Sequence, residues 1–256
     1  MNILRQQLKE LKLEGMVQAF DQLQESGDSE LLSCKTILTQ LLNAEAEYRR
    51  DKKCFALTKR AQFRYHASIG TVVTGTNRNL DKATVNRLAG GQYIRQGMSI
   101  LITGPTGAGK SWLASALGQQ ACRQGFKTSY FNCTKLWSRL HLARKRDRYE
   151  KEIKIISRSA LLILDDFGIS KMENIDRLSL LEILEDRWGK AATIIVSQRP
   201  LSTWHEVLGE PTVADAICDR LFSNCEKIEL KGDSLRKKPP ALDPNLPPNY
   251  VKFCNS

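Results

Sequence analysis

Eight consecutive residues have the types and the spacing that a polyphosphate site needs. Residues 104 to 111 read Gly-Pro-Thr-Gly-Ala-Gly-Lys-Ser, the pattern G-x-x-x-x-G-K-[ST], directly after an apolar run at 99–103. A glycine-rich turn between a strand and a helix directs backbone N–H groups and the positive end of the helix dipole at one spot. A glycine-rich surface turn is the alternative. We predict that a triphosphate is held here, by Gly104, Pro105, Thr106, Gly107, Ala108, Gly109, Lys110, Ser111 and Trp112.

A pair of carboxylates provides the second signal. The apolar run at 160–164 precedes Asp165 and Asp166, and a strand of a parallel sheet delivers such residues to the edge where the phosphate loop lies. With Lys110 at the β- and γ-phosphates, we assign Ser111 and Asp165 to Mg²⁺ and Asp166 to activation of the attacking water. Without the phosphate loop, two ordinary turn carboxylates would be the preferred interpretation.

Three further polar side chains could assist phosphoryl transfer. Gln198 follows the apolar run at 192–196 and would lie between the loop and the acidic pair, able to sense the γ-phosphate or the attacking water. An arginine on the developing charge accelerates such reactions by about 10³- to 10⁵-fold, and Arg220 or Arg236 could supply it. An ordinary loop amide and surface salt bridges are the alternatives.

Strands and helices must position these residues, and the sequence predicts them from apolar runs that alternate with helical periodicities. Five runs predict the strands of a parallel sheet with crossover helices, at 99–103, 127–132, 160–165, 192–197 and 226–230. The predicted fold class is therefore α/β, with the sheet flanked by helices. We predict four regions: a small helical domain at 1–70, a linker and approach to the core at 71–97, the nucleotide-binding core at 98–236 and a flexible, proline-rich tail at 237–256.

Two segments are strongly basic. The segment 43–66 contains seven basic and three acidic residues, and the segment 135–158 contains nine basic and three acidic residues. Phosphate contacts of this kind hold DNA without choosing a sequence. In the second segment one helix side is apolar, so we expect the arginines to project outward from the other; a solvated helical face is the alternative for both segments. The predicted DNA contacts are Arg139, Arg144, Lys145, Arg146 and Arg148.

The composition of the 256 residues limits the class of protein. Lys and Arg number 39 against 28 Asp and Glu, a formal charge of +11 that favours a polyanionic partner such as nucleic acid. No apolar run approaches the roughly 18 residues of a membrane span, and residues 1–14 lack the apolar centre of a signal peptide. Seven cysteines without a C-x-x-C pair predict neither a disulfide framework nor a zinc site. We expect a cytoplasmic protein without a membrane partner.

Several motifs together resemble the IstB-like ATP-binding proteins. They are the phosphate loop, Leu-Leu-Ile-Leu-Asp-Asp-Phe-Gly at 161–168, Ser-Gln-Arg-Pro-Leu-Ser-x-Trp at 197–204, Asp-Arg-Leu at 219–221 and Leu-Lys-Leu-Glu-Gly-Met at 11–16. Members of that family are AAA+ ATPases related to the DnaC helicase loader and are encoded beside the transposase of bacterial insertion sequences. The similarity runs from about residue 3 to residue 238.

The resemblance implies a P-loop ATPase of the AAA+ fold that uses ATP and Mg²⁺. It implies a ring or helical homo-oligomer that binds double-stranded DNA and delivers a transposase to its target. Arg220 would act on the ATP of the neighbouring subunit, and Arg236 would sense nucleotide in its own subunit. Gln198 departs from the pattern, because AAA+ proteins more often have Asn there. A helicase loader that favours single-stranded DNA and a small-molecule kinase with a lid are the rival hypotheses.

Overall fold

The computed structural model describes residues 3–26, 32–170 and 172–237, so the predicted tail beyond residue 237 lies outside the described ranges. The chain divides after Leu57 into two compact units. This boundary lies earlier than the predicted one at residue 70, because the intervening residues belong to the second unit. Ala61 and Ala67 are buried there, and Phe63 packs against one of its hydrophobic clusters.

The first unit is helical, as the leucine spacing predicted. Its helices are α1 (Ile3–Glu10), α2 (Glu14–Ser26) and α3 (Cys34–Ala61), the last of which continues into the second unit. Leu8 and Val17 are its buried apolar side chains among the described residues. A core of this size stabilises a helical unit only modestly, since burying one such side chain contributes roughly 1.5–3 kcal/mol.

The second unit is built on one parallel sheet. Its strands are β1 (Ser99–Thr103), β2 (Thr128–Asn132), β3 (Leu161–Phe167), β4 (Ala192–Ser197) and β5 (Cys225–Glu229), in the spatial order β2-β3-β4-β1-β5. All four neighbouring pairs are parallel. β1, β3 and β4 are almost continuously apolar because helices cover both of their faces. The predicted fold class is confirmed, and the predicted strand ends differ by at most two residues.

Two helical layers cover the sheet. One face packs on the helices that precede β2 in the unit, and the other on the helices that follow β2. The first group is α4 (Lys82–Ala89), α5 (Gln92–Arg95) and α6 (Lys110–Arg123); the second is α7 (Cys133–Lys145), α8 (Tyr149–Ser157), α9 (Asn174–Arg187), α10 (Trp204–Leu208) and α11 (Pro211–Phe222). In the described parts of the chain, no helix combines the length and hydropathy of a membrane span.

Alternate residues of each inner strand enter opposite layers. Ile100 and Ile102 pack in the layer of α6, whereas Leu101 packs in the layer of α7 to α11. Trp204 is fully buried in the latter, with ring centroids 4.7 Å from Phe167 and 6.0 Å from Phe222. This tryptophan of the 197–204 motif therefore anchors the loop after β4 to the core.

Candidate active site

The predicted phosphate loop lies between the end of β1 and the start of α6. Gly104, Gly107 and Gly109 have φ values of 140°, 82° and 90°, a region that glycine adopts at little cost. A Cβ at Gly107 would collide with the side chain of Ser234, and one at Gly104 with the carbonyl group of Leu230. The loop therefore keeps this shape only with glycine at these positions.

Lys110 opens α6 and folds its side chain back over the loop. Its Nζ donates to the carbonyl oxygen of Pro105 at 2.8 Å, and the residue is 6% exposed. Burial lowers the pKa of Lys110, the carboxylates of Asp165 and Asp166 oppose that change, and the charge of Arg236 adds to it. An anion at the loop would favour the charged amine, so the side chain is suited to a phosphate group.

Ser111 and Asp165 lie together, as a shared metal site requires. Ser111 Oγ donates to Asp165 Oδ1 at 3.0 Å, and Asp165 is fully buried in β3. The hydroxyl group of Tyr130 donates to the other carboxylate oxygen, and burial raises the pKa of this tyrosine, which keeps it protonated as a donor. Hydroxyl and carboxylate oxygens are the hard ligands that Mg²⁺ prefers, so the residues present fit this ion.

Asp166 follows in an unusual backbone conformation. Its φ is 58°, in the left-handed region that residues other than glycine rarely adopt. The register of β3 against β4 shifts between Leu164 and Phe167, and such bulges redirect side chains at functional sites. The side-chain amide of Asn132, at the end of β2, donates to Asp166 Oδ2 at 2.8 Å. The carboxylate thus lies at the carboxyl edge of the sheet, as predicted for this strand.

Arg64 is a residue of this site that the sequence analysis missed. It was included in the first basic segment, yet its Nη1 lies 2.9 Å from Asp166 Oδ2 and 3.4 Å from Asp165 Oδ2. Burial opposes its charge, but Tyr65 and the two carboxylates raise the pKa of Arg64 above its ordinary value. A separation of 101 residues from Asp165 left no local pattern by which the contact could have been predicted.

Gln198 and Trp112 approach the loop region in different ways. Gln198 Oε1 accepts a hydrogen bond from Thr106 Oγ1 at 2.6 Å, so this amide contacts the loop from the tip of β4. Trp112 Nε1 donates to Thr71 Oγ1 at 3.2 Å, and its ring centroid lies 5.6 Å from that of Tyr65. The indole therefore joins α6 to the segment that precedes the sheet.

The segment after β5 covers the phosphate loop. The N–H group of Leu235 donates to the carbonyl oxygen of Gly107 at 2.9 Å, and Leu235 Cδ1 would lie 3.2 Å from a Cβ at Gly109. Arg236 is exposed in the adjoining turn, and its charge acts on Lys110. The structure thus brings Arg236 to the loop of its own chain.

Arg220 lies near the amino-terminal ends of β1 and β4, opposite the end of β1 that carries the phosphate loop. It is close to the end of α11, where its Nη2 lies 2.7 Å from Glu185 Oε1. It lines a cavity of about 230 Å³ together with Ser99 and Thr193, which stand near the beginnings of β1 and β4. Because Lys110 follows the opposite end of β1, the fold does not bring Arg220 to the phosphate loop of the same chain.

The five predicted DNA contacts fall into two groups. Arg139 forms an ion pair with Glu152, and the guanidinium of Arg144 stacks 3.4 Å from the ring centroid of Tyr149 while donating to Ser179 Oγ. Arg144 therefore does not project outward as expected, because packing against the neighbouring helices holds it. The other three are exposed in or next to the turn between α7 and α8: Lys145, Arg146 and Arg148.

Two solved structures of bacterial replication proteins share this fold. A DnaC helicase loader matches with a TM-score of 0.55 at 20% identity, over 67% of this chain and all of that chain. A replication initiator DnaA, solved with AMPPCP and single-stranded DNA, matches with a TM-score of 0.55 at 16% identity, over 67% of this chain and 52% of the other. The sheet order, the loop after β1 and the acidic pair in β3 define a P-loop ATPase of the AAA+ class.

Residues 6–241 match the family of IstB-like ATP binding proteins. An insertion sequence ATP-binding protein of Sinorhizobium fredii is 44% identical over 90% of this chain and 94% of its own length. The chain therefore belongs to the IstB-like ATP-binding family, and the resemblance identified from its motifs is confirmed. Its ATP-binding and ATPase character follow from this membership.

Proposed function

We propose that this chain is the ATP-dependent DNA-binding factor of an insertion sequence and that it helps a transposase engage its target. One observation carries the catalytic part of the proposal: Lys110, Ser111, Asp165 and Asp166 converge at the carboxyl edge of one sheet, with Ser111 Oγ 3.0 Å from Asp165 Oδ1. The family supplies ATP binding, and the insertion-sequence relative supplies the genetic setting. ATP and DNA occur together in the bacterial cytoplasm, where we place the reaction.

Each residue has a defined task in the proposed reaction. The loop amides and Lys110 bind the β- and γ-phosphates, and Ser111 and Asp165 would hold Mg²⁺, which would neutralise phosphate charge. Asp166 orients the attacking water and accepts its proton, and Gln198 senses the γ-phosphate. Arg236 contacts nucleotide in the same chain. These tasks need charge placement more than covalent chemistry, which is typical of phosphoryl transfer.

The proposed assembly uses the surfaces that lie away from the loop. Arg220 would complete the ATP site of a neighbouring copy, so that bound ATP joins subunits into a ring or helical homo-oligomer. Exposed Lys145, Arg146 and Arg148 would contact the phosphates of double-stranded DNA. Hydrolysis would then release subunits and limit the time for which the transposase finds the protein on its target.

The ATPase is tested with two variants and one control. Lys110→Ala is expected to abolish binding of a fluorescent ATP analogue, whereas Asp166→Asn is expected to bind it normally and to hydrolyse ATP at least 100-fold more slowly, on the order of the loss of an essential catalytic group. Lys82→Ala changes an exposed lysine at the start of α4 and serves as the control. Normal turnover by Asp166→Asn would remove that carboxylate from the reaction.

DNA binding is tested by fluorescence anisotropy over a range of salt concentrations. Changing Lys145, Arg146 and Arg148 together to Glu is expected to weaken binding to any duplex and to lower the salt slope by about 0.9 for each lost phosphate contact. Arg144→Gln is the matched control, because that arginine is packed against Tyr149. An unchanged slope would place the DNA elsewhere. Tighter binding of single-stranded DNA would favour the rival hypothesis of a helicase loader instead.

A further inference from the structure

Arg78 connects the segment before the sheet to the phosphate loop. It ends the single 3₁₀ turn Thr76–Arg78 and is only 5% exposed. Its Nη2 donates to the carbonyl oxygen of Ala108, inside the loop, and its Nη1 donates to the carbonyl oxygen of Asp233 at 2.8 Å. Arg78 lies in the region predicted as a linker, at 71–97, and belongs to no motif of the sequence.

The guanidinium of Arg78 is a buried charge that donates hydrogen bonds to main-chain carbonyl groups. It forms no ion pair with any residue in the described ranges 3–26, 32–170 and 172–237. Burying a cation is costly unless an opposite charge compensates for it. A Cβ at Gly109 would lie 3.8 Å from Arg78 Nη2, so this charge lies directly behind the loop.

The hydrogen bond to Ala108 acts on one particular peptide group. The carbonyl oxygen that accepts from Arg78 and the N–H group of Gly109 belong to the same peptide unit, just before the first residue of α6. The N–H groups at the beginning of a helix have no acceptor within the helix and are available to an anion. A charged donor on the carbonyl oxygen polarises the peptide and makes its N–H group a stronger donor.

The other terminal nitrogen of Arg78, Nη1, holds the segment that carries Arg236. Besides the hydrogen bond to Asp233, the main-chain carbonyl oxygen of Arg78 accepts from Lys231 N at 3.1 Å. A Cβ at Gly232 would lie 3.0 Å from Arg78 Nη1, so the guanidinium also packs closely against this segment. One side chain therefore fixes the position of the loop relative to Arg236.

We propose that Arg78 is a positioning residue that increases the affinity of the loop for polyphosphate. It does so by polarising the Ala108–Gly109 peptide and by placing a positive charge behind it. This inference rests on the proposed ATP site and adds a residue to it. The ligand class is a nucleoside di- or triphosphate, and the contribution of Arg78 grows with the number of phosphate charges.

The test compares the affinities of three nucleotides by isothermal titration calorimetry. Arg78→Gln is expected to weaken ATP binding about tenfold or more, the usual order for a hydrogen bond from a charged group. ADP is expected to lose less and AMP little. Arg78→Lys keeps the charge and is expected to restore ATP affinity to within about threefold of that of the unchanged chain. Arg87→Gln is the control, because Arg87 is an exposed arginine paired with Glu226 on the surface.

A purely structural role for Arg78 gives a different pattern. It would lower the melting temperature without nucleotide and weaken ATP, ADP and AMP equally, or leave all three unchanged, and either result overturns the inference. If Arg78→Gln does not fold, Arg78→Met decides, because it removes the charge with an apolar side chain that a buried site tolerates: a lowered ratio of ATP to AMP affinity supports the charge effect, and an unchanged ratio contradicts it. If Lys110→Ala also binds ATP normally, the proposed nucleotide site itself is wrong.

Discussion

Arg64 occupies the position at which a cation would meet both acidic side chains. Its Nη1 contacts Asp165 and Asp166, while 40% of its side chain remains exposed. A guanidinium and a divalent ion placed at the same carboxylates repel each other. Mg²⁺ at the proposed site of Ser111 and Asp165 would therefore weaken the contact between Arg64 and Asp165.

Arg64→Gln is accordingly expected to lower the Mg²⁺ concentration that gives half-maximal ATPase activity. An ion pair of this exposure contributes about 0.2–1 kcal/mol, so the expected decrease is about 1.5- to 5-fold. The measurement is a magnesium titration of steady-state ATP hydrolysis, with Arg60→Gln, an exposed residue of α3, as the control. A higher magnesium requirement in Arg64→Gln would show that the arginine supports the metal site.

The residues of the site that the sequence predicted are those within continuous motifs. Lys110, Ser111, Asp165 and Asp166 were predicted because a loop pattern and an apolar strand identify them locally. Arg64 and Arg78 were not, since each reaches the site through a hydrogen bond to a residue far along the chain. The expectation for Arg144 was wrong because helical spacing says nothing about the aromatic ring on which its guanidinium lies.

At the scale of elements, the start of α2 depends on one carboxylate of α3. Glu45 accepts hydrogen bonds from the N–H groups of Gly15 at 2.8 Å and Met16 at 3.2 Å, and from Arg49 Nε at 2.6 Å. Burial of Glu45 would raise its pKa, but these donors lower it below the ordinary value. A Cβ at Gly15 would lie 2.6 Å from the carbonyl oxygen of Ala44, so glycine permits the close packing of the two helices.

Glu45→Gln is expected to destabilise the helical unit by about 1–3 kcal/mol, the usual cost of removing a charged partner from buried donors. The folded-state pKa of Glu45 is lowered, so its stabilising contribution is present above the unfolded-state value near 4.5 and is lost as the pH falls through the folded-state value. Urea unfolding followed by circular dichroism at pH 7 and pH 3 checks both statements. Glu47→Gln, an exposed control, should change little; an equal loss in the two variants would contradict the capping role.

The strands were predictable to within two residues at their ends, whereas the segment that precedes the sheet was not. Continuous apolar runs identified β1, β3 and β4 because strands covered on both faces need no polar alternation. A linker was predicted to begin at residue 71, yet residues 69–80 form two 3₁₀ turns, Ile69–Thr71 and Thr76–Arg78, and a β-bridge between Gly75 and Leu80. The contacts of this segment with the loop and with β5 are tertiary and leave no periodicity.

At the scale of the whole molecule, the proposed catalytic groups are divided between the two ends of one strand. Lys110 follows the end of β1, whereas Arg220 lines a cavity beside Ser99, where β1 begins. Five strand residues span about 17 Å. A complete site therefore requires a second copy of the chain, if Arg220 takes part.

Arg220→Ala is expected to bind ATP with unchanged affinity and to lose about 10³-fold or more in hydrolysis, as for other arginines supplied to phosphoryl transfer. Mixing Arg220→Ala with Lys110→Ala is expected to restore part of the activity, since one variant provides the intact loop and the other the arginine. The measurement is ATP turnover at several mixing ratios. Absence of any recovery, or full turnover by Arg220→Ala alone, would contradict action between subunits.

The left-handed backbone at Asp166 links catalysis to how easily the molecule unfolds. Holding an aspartate at φ 58° costs on the order of 1 kcal/mol, and a glycine would avoid most of this cost. Asp166→Gly would relieve this strain but would also remove the carboxylate that Arg64 and Asn132 contact, so under the proposed mechanism the variant would bind nucleotide and hydrolyse it slowly. Under the proposed function, such a variant would stay on its DNA after binding ATP, because the hydrolysis that releases the subunits would be slowed.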